Sequence, residues 1–402
     1  MRNLFRIAAL IIAFTAMPRC LHAQGDNDTV VSIVNFYPGT EIFELEGHTA
    51  LRIQFPDGRD LAVSYGMFSF NEPNFVYRFV KGETDYWVAA IPWSYFKDGY
   101  MAHGRRIVEH RLNMDSSQKV RLLNLLTDNL RPENATYRYN YVRDNCATRP
   151  LGIIEQALGD SIILGNTRTI PDGEVSFRNI MRHYHRNYPW YQFGIDLALG
   201  SGIDRPLTNR EKAFAPVVLD QQLTDATAGD KHLVSSTIIL NDVPEDNAIA
   251  PSTPWFLTPL FIFTLWMLLV LMFTIRDIKR QRPGRWLDTI LFGVYGVAGC
   301  VVFYLVAVSS HEATSPNWLV AWLNPLCFIA AIGIWIKRAR KLVMWYQIAN
   351  FAVILLLSAA WPFMRQSGNP AFIPLIVAEL LRSGCYIYLT FHKKVHAEIA
   401  HR

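Results

Sequence analysis

Two residues of the N-terminal half carry types and surroundings suited to nucleophilic chemistry, Cys146 and His48. Cys146 lies in Arg143-Asp144-Asn145-Cys146-Ala147-Thr148, where an apolar-periodic helix is expected to begin after Asn145. A helix start offers unpaired N–H groups and partial positive charge. Both favour a thiolate and can receive an oxyanion. His48 opens the alternating run Gly47-His48-Thr49-Ala50-Leu51-Arg52-Ile53-Gln54-Phe55, which reads as a strand. A histidine there supplies a proton acceptor for a thiol nucleophile. The general layout is that of papain-like thiol enzymes: a helix-start cysteine faces a strand histidine. With eleven histidines in the chain, the pairing rests on placement rather than on residue type.

The elements that must hold this pair are legible. Val30 to Phe36 reads as a strand, and Pro56-Asp57-Gly58-Arg59 reads as a tight turn between the His48 strand and Leu61 to Tyr65. With Asp57-Gly58 as the two turn residues, Tyr65 falls opposite Ala50, on the face that carries His48. Tyr65 is therefore the expected partner that orients His48, with Asn145 second. A further strand is expected over Tyr86 to Ile91, and a helix starting at Asp115 or Ser116 and ending at Pro132. Arg178 to Leu223 is mixed in pattern and yields little chemistry.

Cysteine use supports the same centre. Of five cysteines, Cys20 falls in an N-terminal stretch that reads as a secretory signal over residues 1–23. Cys300, Cys327 and Cys385 fall in long apolar segments. Cys146 remains as a lone thiol in an exported region, where disulfides are the usual fate of cysteine. A small buried hydrophobe is the other common role of such a residue.

Composition divides the 402-residue chain into two parts with different solvents. Residues 24–250 hold most of the charge. Residues 251–402 hold apolar runs near 255–275, 287–308, 318–336, 343–362 and 371–391, each near the ~20 residues that cross a bilayer. Basic residues follow the first, third and fifth runs: Arg276 to Arg285, Lys337 to Lys341, and Lys393, Lys394 and Arg402. This alternation predicts about five membrane helices, an exported N-terminal domain and a cytoplasmic C-terminus. The net charge of +5 thus belongs largely to membrane loops and is no sign of nucleic-acid binding. No phosphate-binding glycine run or His-Glu-x-x-His pattern is present, so neither a nucleotide nor a metal is expected. Within the membrane part, Glu379 and Arg382 lie three residues apart on one helix face and are expected to pair. His311 lies in an outer loop close to the bilayer and is a further candidate.

Gly47-His48-Thr49-Ala50-Leu51-Arg52-Ile53, Tyr65-Gly66 with Phe68 and Phe70, Gly82-Glu83-Thr84-Asp85-Tyr86 and Asn145-Cys146 resemble the periplasmic domain of Lnb-type lipoprotein N-acyltransferases. Ser310-His311-Glu312-Ala313-Thr314 and Asn324-Pro325-Leu326 resemble the membrane domain of that family. The His-then-Cys order is also similar to the lecithin:retinol acyltransferase group of permuted papain-like enzymes. Unlike that group, Leu61 to Tyr65 carries no second histidine. The resemblance implies an α+β permuted papain-like (NlpC-like) exported domain followed by an all-α transmembrane bundle in a bacterial inner membrane. It implies a phospholipid acyl donor, a thioester on Cys146 and a diacylated lipoprotein as acceptor. The same Cys–His layout also serves a cell-wall cysteine peptidase or amidase, and a non-enzymatic membrane receptor or scaffold stays open as well. Drawing a sixteen-carbon chain into water costs on the order of 12 kcal/mol. A lined path for it is therefore expected, with Phe68, Phe70, Phe75, Trp87, Trp93, Tyr95 and Phe96 as candidates.

Overall fold

The computed structural model describes residues 28–168, 170 and 175–400, with side chains to residue 392. The expected signal over 1–23, the side chains of Lys393 and Lys394, and Arg402 lie outside the described residues. The chain forms two compact units. Of the described residues, one holds those up to Phe79, Glu83–Ile180 and Pro206–Ala250; the other holds Val80–Gly82, Met181–Arg205 and those from Pro251 on.

The first unit is built on a seven-stranded antiparallel sheet in the order β10-β5-β1-β2-β3-β4-β6. The strands are β1 (Val30–Phe36), β2 (His48–Gln54), β3 (Asp60–Met67), β4 (Asp85–Pro92), β5 (Ile107–Leu112), β6 (Thr136–Arg138) and β10 (Val234–Asn241). A small second sheet joins β7 (Ile162–Ile163), β8 (Thr227–Ala228) and β9 (Lys231–His232). Strand side chains alternate between two faces. Val31, Ile33, Leu51, Ile53, Val63, Tyr65 and Val88 pack one face against the helices Ser116–Asn129 and Thr148–Leu158. Val34, Phe36, Ala50, Ala62, Ala89 and Ile91 pack the other against Trp93 and Phe96 of the helix Trp93–Ala102. The helix starts agree with the sequence. Asp115 closes a capping box with Gln118, and Gly159 ends the Thr148–Leu158 helix in a left-handed conformation.

In the second unit, four described helical segments are long and apolar enough to cross a membrane: Pro259–Lys279, Arg285–Ala307, Lys337–Phe363 and Phe372–His392. The segment expected to span at 318–336 differs. It forms a short turn of helix at Trp318–Ala321 and a helix of 7 residues at Cys327–Gly333. At 1.5 Å per residue that helix reaches about a third of a ~30 Å hydrocarbon core. The break falls at Asn324-Pro325, where Pro325 has no N–H to give and Asn324 Oδ1 accepts from Leu326 N–H at 3.1 Å. Of the mixed stretch Arg178 to Leu223, the part Met181–Arg205 belongs to this unit. Its Phe193 ring packs on Phe263 and Phe372, and its Arg182 bonds Asp196 and the Ser367 hydroxyl.

Candidate functional site

Cys146 lies in the turn that leads into the Thr148–Leu158 helix, two residues before its start. The helical ladder begins one residue earlier, where Arg149 N–H reaches the Asn145 carbonyl at 3.1 Å. Asn145 Oδ1 accepts from the N–H groups of Ala147 and Thr148 at 2.9 and 3.0 Å, and the Thr148 hydroxyl accepts from Asn145 N–H at 2.9 Å. The Asn145 amide nitrogen donates to the carbonyls of Tyr141 and Phe214. Every polar group of this side chain is committed to fixing the helix start. Asn145 therefore positions Cys146 and has no bond to His48, which corrects its expected role as an orienting group.

Two glycines shape the strand ends here, Gly47 at the entry to β2 and Gly66 against Cys146. Gly47 has φ +90, and a Cβ on it would lie 2.5 Å from the Phe36 carbonyl oxygen. Gly66 has φ +85, and a Cβ there would lie 3.2 Å from the Tyr139 ring and 3.6 Å from Cys146 Cβ. Pairing of β2 with β3 stops at Ala50–Ser64, and β3 breaks register against β4 between Ser64 and Met67. The backbone of Cys146 thus packs directly on the strand ends. The N–H of Thr49 (the next residue after His48), the Cys146 N–H and the Tyr139 hydroxyl lie near the thiol and favour its thiolate form.

The His48 ring is half-buried among Phe36, Phe96 and Tyr100, lying nearly parallel to Tyr100 at 6.1 Å between centroids. Its Nε2 is 2.9 Å from Ser64 Oγ. The imidazole makes this bond to Ser64, and none to Cys146, so Nδ1 is the ring nitrogen left to exchange a proton. Tyr65 is not the orienting group. Phe55 N–H bonds the Arg59 carbonyl, so the hairpin loop is three residues, Pro56-Asp57-Gly58, and not two. Ala50 therefore faces Ser64. That single-residue difference turns Tyr65 to the opposite face. There it meets Tyr137 edge-on, and its hydroxyl is buried without a partner.

Burial shapes the electrostatics. It lowers the His48 pKa from the ordinary 6.5 to about 3, and the nearby Arg105 charge acts in the same direction. It raises the Cys146 thiol to about 11 against the hydrogen bonds that favour the thiolate, with the Glu46 charge adding to the rise. Thiol and imidazole therefore rest neutral. Among the described residues, no group of three or more His, Cys, Asp or Glu side chains is arranged to hold a metal ion.

The expected aromatic cluster divides in two. Phe68, Phe70 and Phe75 pack together with Phe43, and Phe70 is 62% exposed. Trp93 and Phe96 instead lie behind the sheet with Phe36, Trp87 packs against that same core, and Tyr95 is exposed.

In the membrane unit, Arg382 does not pair with Glu379. It bonds Asp288 Oδ1 at 2.5 Å, Asp277 Oδ2 at 3.0 Å and the Thr274 hydroxyl at 3.1 Å, all buried. Glu379 Oε1 accepts from the Asn350 amide at 2.8 Å, and Oε2 has no partner. The two aspartates sit near the ends of the helices Pro259–Lys279 and Arg285–Ala307. Half-buried His311 lies against Gly82, whose Cβ position is 3.3 Å from the His311 ring. Ser309 and Ser310 bond the carbonyls of Val80 and Lys81, so two of the family-like motifs meet in this unit.

Residues 17–172 match the family described as Lnb N-terminal periplasmic domain, and residues 251–394 match the one described as Lnb transmembrane domain. The chain is an Lnb-type protein. This is a membrane-protein family of the lipoprotein N-acylation type. No curated protein and no solved structure matches it. Ser64 and Tyr100 beside His48, Tyr139 near Cys146, and Arg105 over Tyr100 went unseen in the sequence. Each is a common residue on a strand, helix or loop with no motif of its own.

Proposed function

We propose that this Lnb-type protein is a lipoprotein N-acyltransferase that works through a Cys146 thioester. The reading is supported by one arrangement: a thiol at the start of a helix packed against the strand ends beside His48, with the Thr49 N–H near the sulfur. His48 Nδ1 takes the thiol proton as sulfur attacks the ester carbonyl of a phospholipid. Catalytic hydrogen bonds that are long in a free enzyme tighten in the substrate complex, which permits the transfer. The Thr49 and Cys146 N–H groups, already at the sulfur, stabilise the tetrahedral oxyanion. The C–O bond breaks, the imidazolium returns its proton to the alkoxide, and a lysophospholipid leaves. The neutral α-amine of a diacylated lipoprotein's N-terminal cysteine then attacks the thioester. Its proton passes to His48, the C–S bond breaks, and the proton returns to Cys146. Thioester and ester are close in acyl-transfer potential, so the cycle closes without ATP. The catalytic unit lies on the periplasmic side of the inner membrane, with the C-terminus in the cytoplasm.

Intact-mass measurement of the full-length protein incubated with phospholipid tests this reading. The expected result is one acyl adduct on Cys146, discharged by a diacylated lipopeptide to give its N-acyl form. Transfer to the lipopeptide without any Cys146 adduct, in wild type or Cys146→Ser, would overturn it.

A further inference from the structure

Arg105 is the least explained charge near the site. Its side chain is 1% exposed. Nε donates to the Tyr37 carbonyl at 2.6 Å and Nη1 to Glu44 Oε1 at 2.7 Å. Nη2 is buried and makes no hydrogen bond. A guanidinium carries five donors and does not lose its charge, so an idle edge in a dry setting is costly. A structural role accounts for Nε and Nη1 and leaves Nη2 unexplained. The place of this cation is informative. Its guanidinium lies over the Tyr100 ring at 4.6 Å, and Tyr100 in turn lies parallel to the His48 ring. The charge on a Cys146 thiolate is felt at both Arg105 and Tyr100.

We propose that Arg105 receives, through Nη2, a phosphodiester oxygen of the glycerophospholipid that donates the acyl chain. This rests on the acyl-transfer reading and names the group that selects its donor. A phosphodiester brings one negative charge and two non-bridging oxygens, and Arg is the side chain best matched to it. In a glycerophospholipid the phosphodiester and one acyl ester sit on neighbouring glycerol carbons. Holding the first beside Tyr100 and His48 brings the carbonyl of the second toward Cys146. Glu44 competes for the same cation, since its carboxylate is the single acid bonded to Arg105 among the described residues.

The test compares acylation of Cys146 in full-length protein by two donors of equal chain length, a phosphatidylethanolamine and a phosphate-free p-nitrophenyl ester. Arg105→Gln should lose at least about tenfold more kcat/KM on the phospholipid than on the ester, the scale of one charge-assisted hydrogen bond. Arg105→Lys keeps the charge and should lie between Gln and wild type, with thermal unfolding confirming that it folds. Glu44→Gln, which removes the competing acid, should lower KM for the phospholipid. Glycerophosphoethanolamine should inhibit wild type and spare Arg105→Gln. Equal losses on both donors, or a Glu44→Gln variant that tracks Arg105→Lys downward, would reduce Arg105 to a structural residue. Inhibition by inorganic phosphate as strong as by the glycerophosphodiester would assign the site to a free anion and overturn the lipid assignment. Wild type that acylates Cys146 from neither donor would sink the acyl-transfer reading itself, an outcome separate from any pattern among the variants.

Discussion

His48 Nε2 meets Ser64 Oγ at 2.9 Å across the β2–β3 pair, while Tyr65, one residue on, points to the opposite face. The two side chains therefore make opposite predictions. Ser64→Ala frees the imidazole to rotate and should lower Cys146 acylation about three- to tenfold, the worth of one hydrogen bond. Tyr65→Phe removes a buried hydroxyl that has no partner and should leave activity unchanged, with thermal stability equal or higher. Single-turnover acylation and thermal unfolding of both variants decide the matter. A larger activity loss in Tyr65→Phe than in Ser64→Ala would restore tyrosine as the orienting group.

The error that pointed to Tyr65 shows where sequence reading stops. The strands, the turn region and the face rule were all legible from Gly47 to Tyr65. The loop length was not, because Pro56-Asp57-Gly58-Arg59 accommodates two or three turn residues equally well, and one residue reverses every side chain. The Cys146 helix was legible because Asn145 is a strong local start signal before an apolar-periodic run. Arg382 was legible as a buried charge, but its partners were not. Asp277 and Asp288 come from other helices, and no spacing along one helix encodes a contact between helices. Residues 181–205 lack a clear period because their apolar side chains pack irregularly against membrane helices, as Phe193 does against Phe263.

Gly66 combines φ +85 with close contact to Cys146. Gly66→Ala adds backbone strain in the left-handed region and a methyl group against Tyr139 and Cys146 Cβ. A loss of about 1–2 kcal/mol in stability is expected, together with a drop in Cys146 acylation that exceeds the loss of folded protein. Gly58 offers the control. It also has positive φ, but nothing lies within 4 Å of its Cβ position. Gly58→Ala should cost stability while leaving the acylation rate per folded molecule unchanged. If Gly66→Ala matched Gly58→Ala in both measures, the close approach at Cys146 would have no bearing on the chemistry.

Arg382 and Glu379 should separate by their effect on folding. Arg382→Met strands Asp277 and Asp288 in a buried setting, and removing one partner of a buried ion cluster costs about 3–5 kcal/mol. The yield of monodisperse protein in detergent should fall sharply. Glu379→Gln keeps the oxygen that accepts from Asn350 and replaces only the unpartnered one, so yield should hold. Size-exclusion profiles after detergent extraction measure both. A Glu379→Gln variant that aggregates as badly as Arg382→Met would show that the two residues do act as one structural unit.

The protonation state of Cys146 gives the most direct test of the proposed site. Burial lowers His48 to about 3 and raises Cys146 to about 11, so across the neutral range the pair rests as thiol and neutral imidazole. In the proposed reaction the proton then moves during attack, with no ion pair stored beforehand. Because only the thiolate is alkylated, iodoacetamide modification of Cys146 should climb about tenfold per pH unit from roughly pH 7 to 9. His48→Ala should leave that slope intact while abolishing acylation by phospholipid, and Cys146→Ser should lose both adducts. Stability follows the same values. Unfolded chains protonate His48 near its ordinary value of 6.5 while the folded protein resists until about 3. The unfolded state therefore binds more protons below that ordinary value, and folded stability falls as pH drops through this window. His48→Gln should flatten that fall. Peptide-resolved mass spectrometry separates Cys146 from the exposed Cys300. An alkylation rate that plateaus near neutral pH in wild type and loses its plateau in His48→Ala would mean a thiolate–imidazolium pair is present at rest, and proton transfer concerted with attack would be wrong.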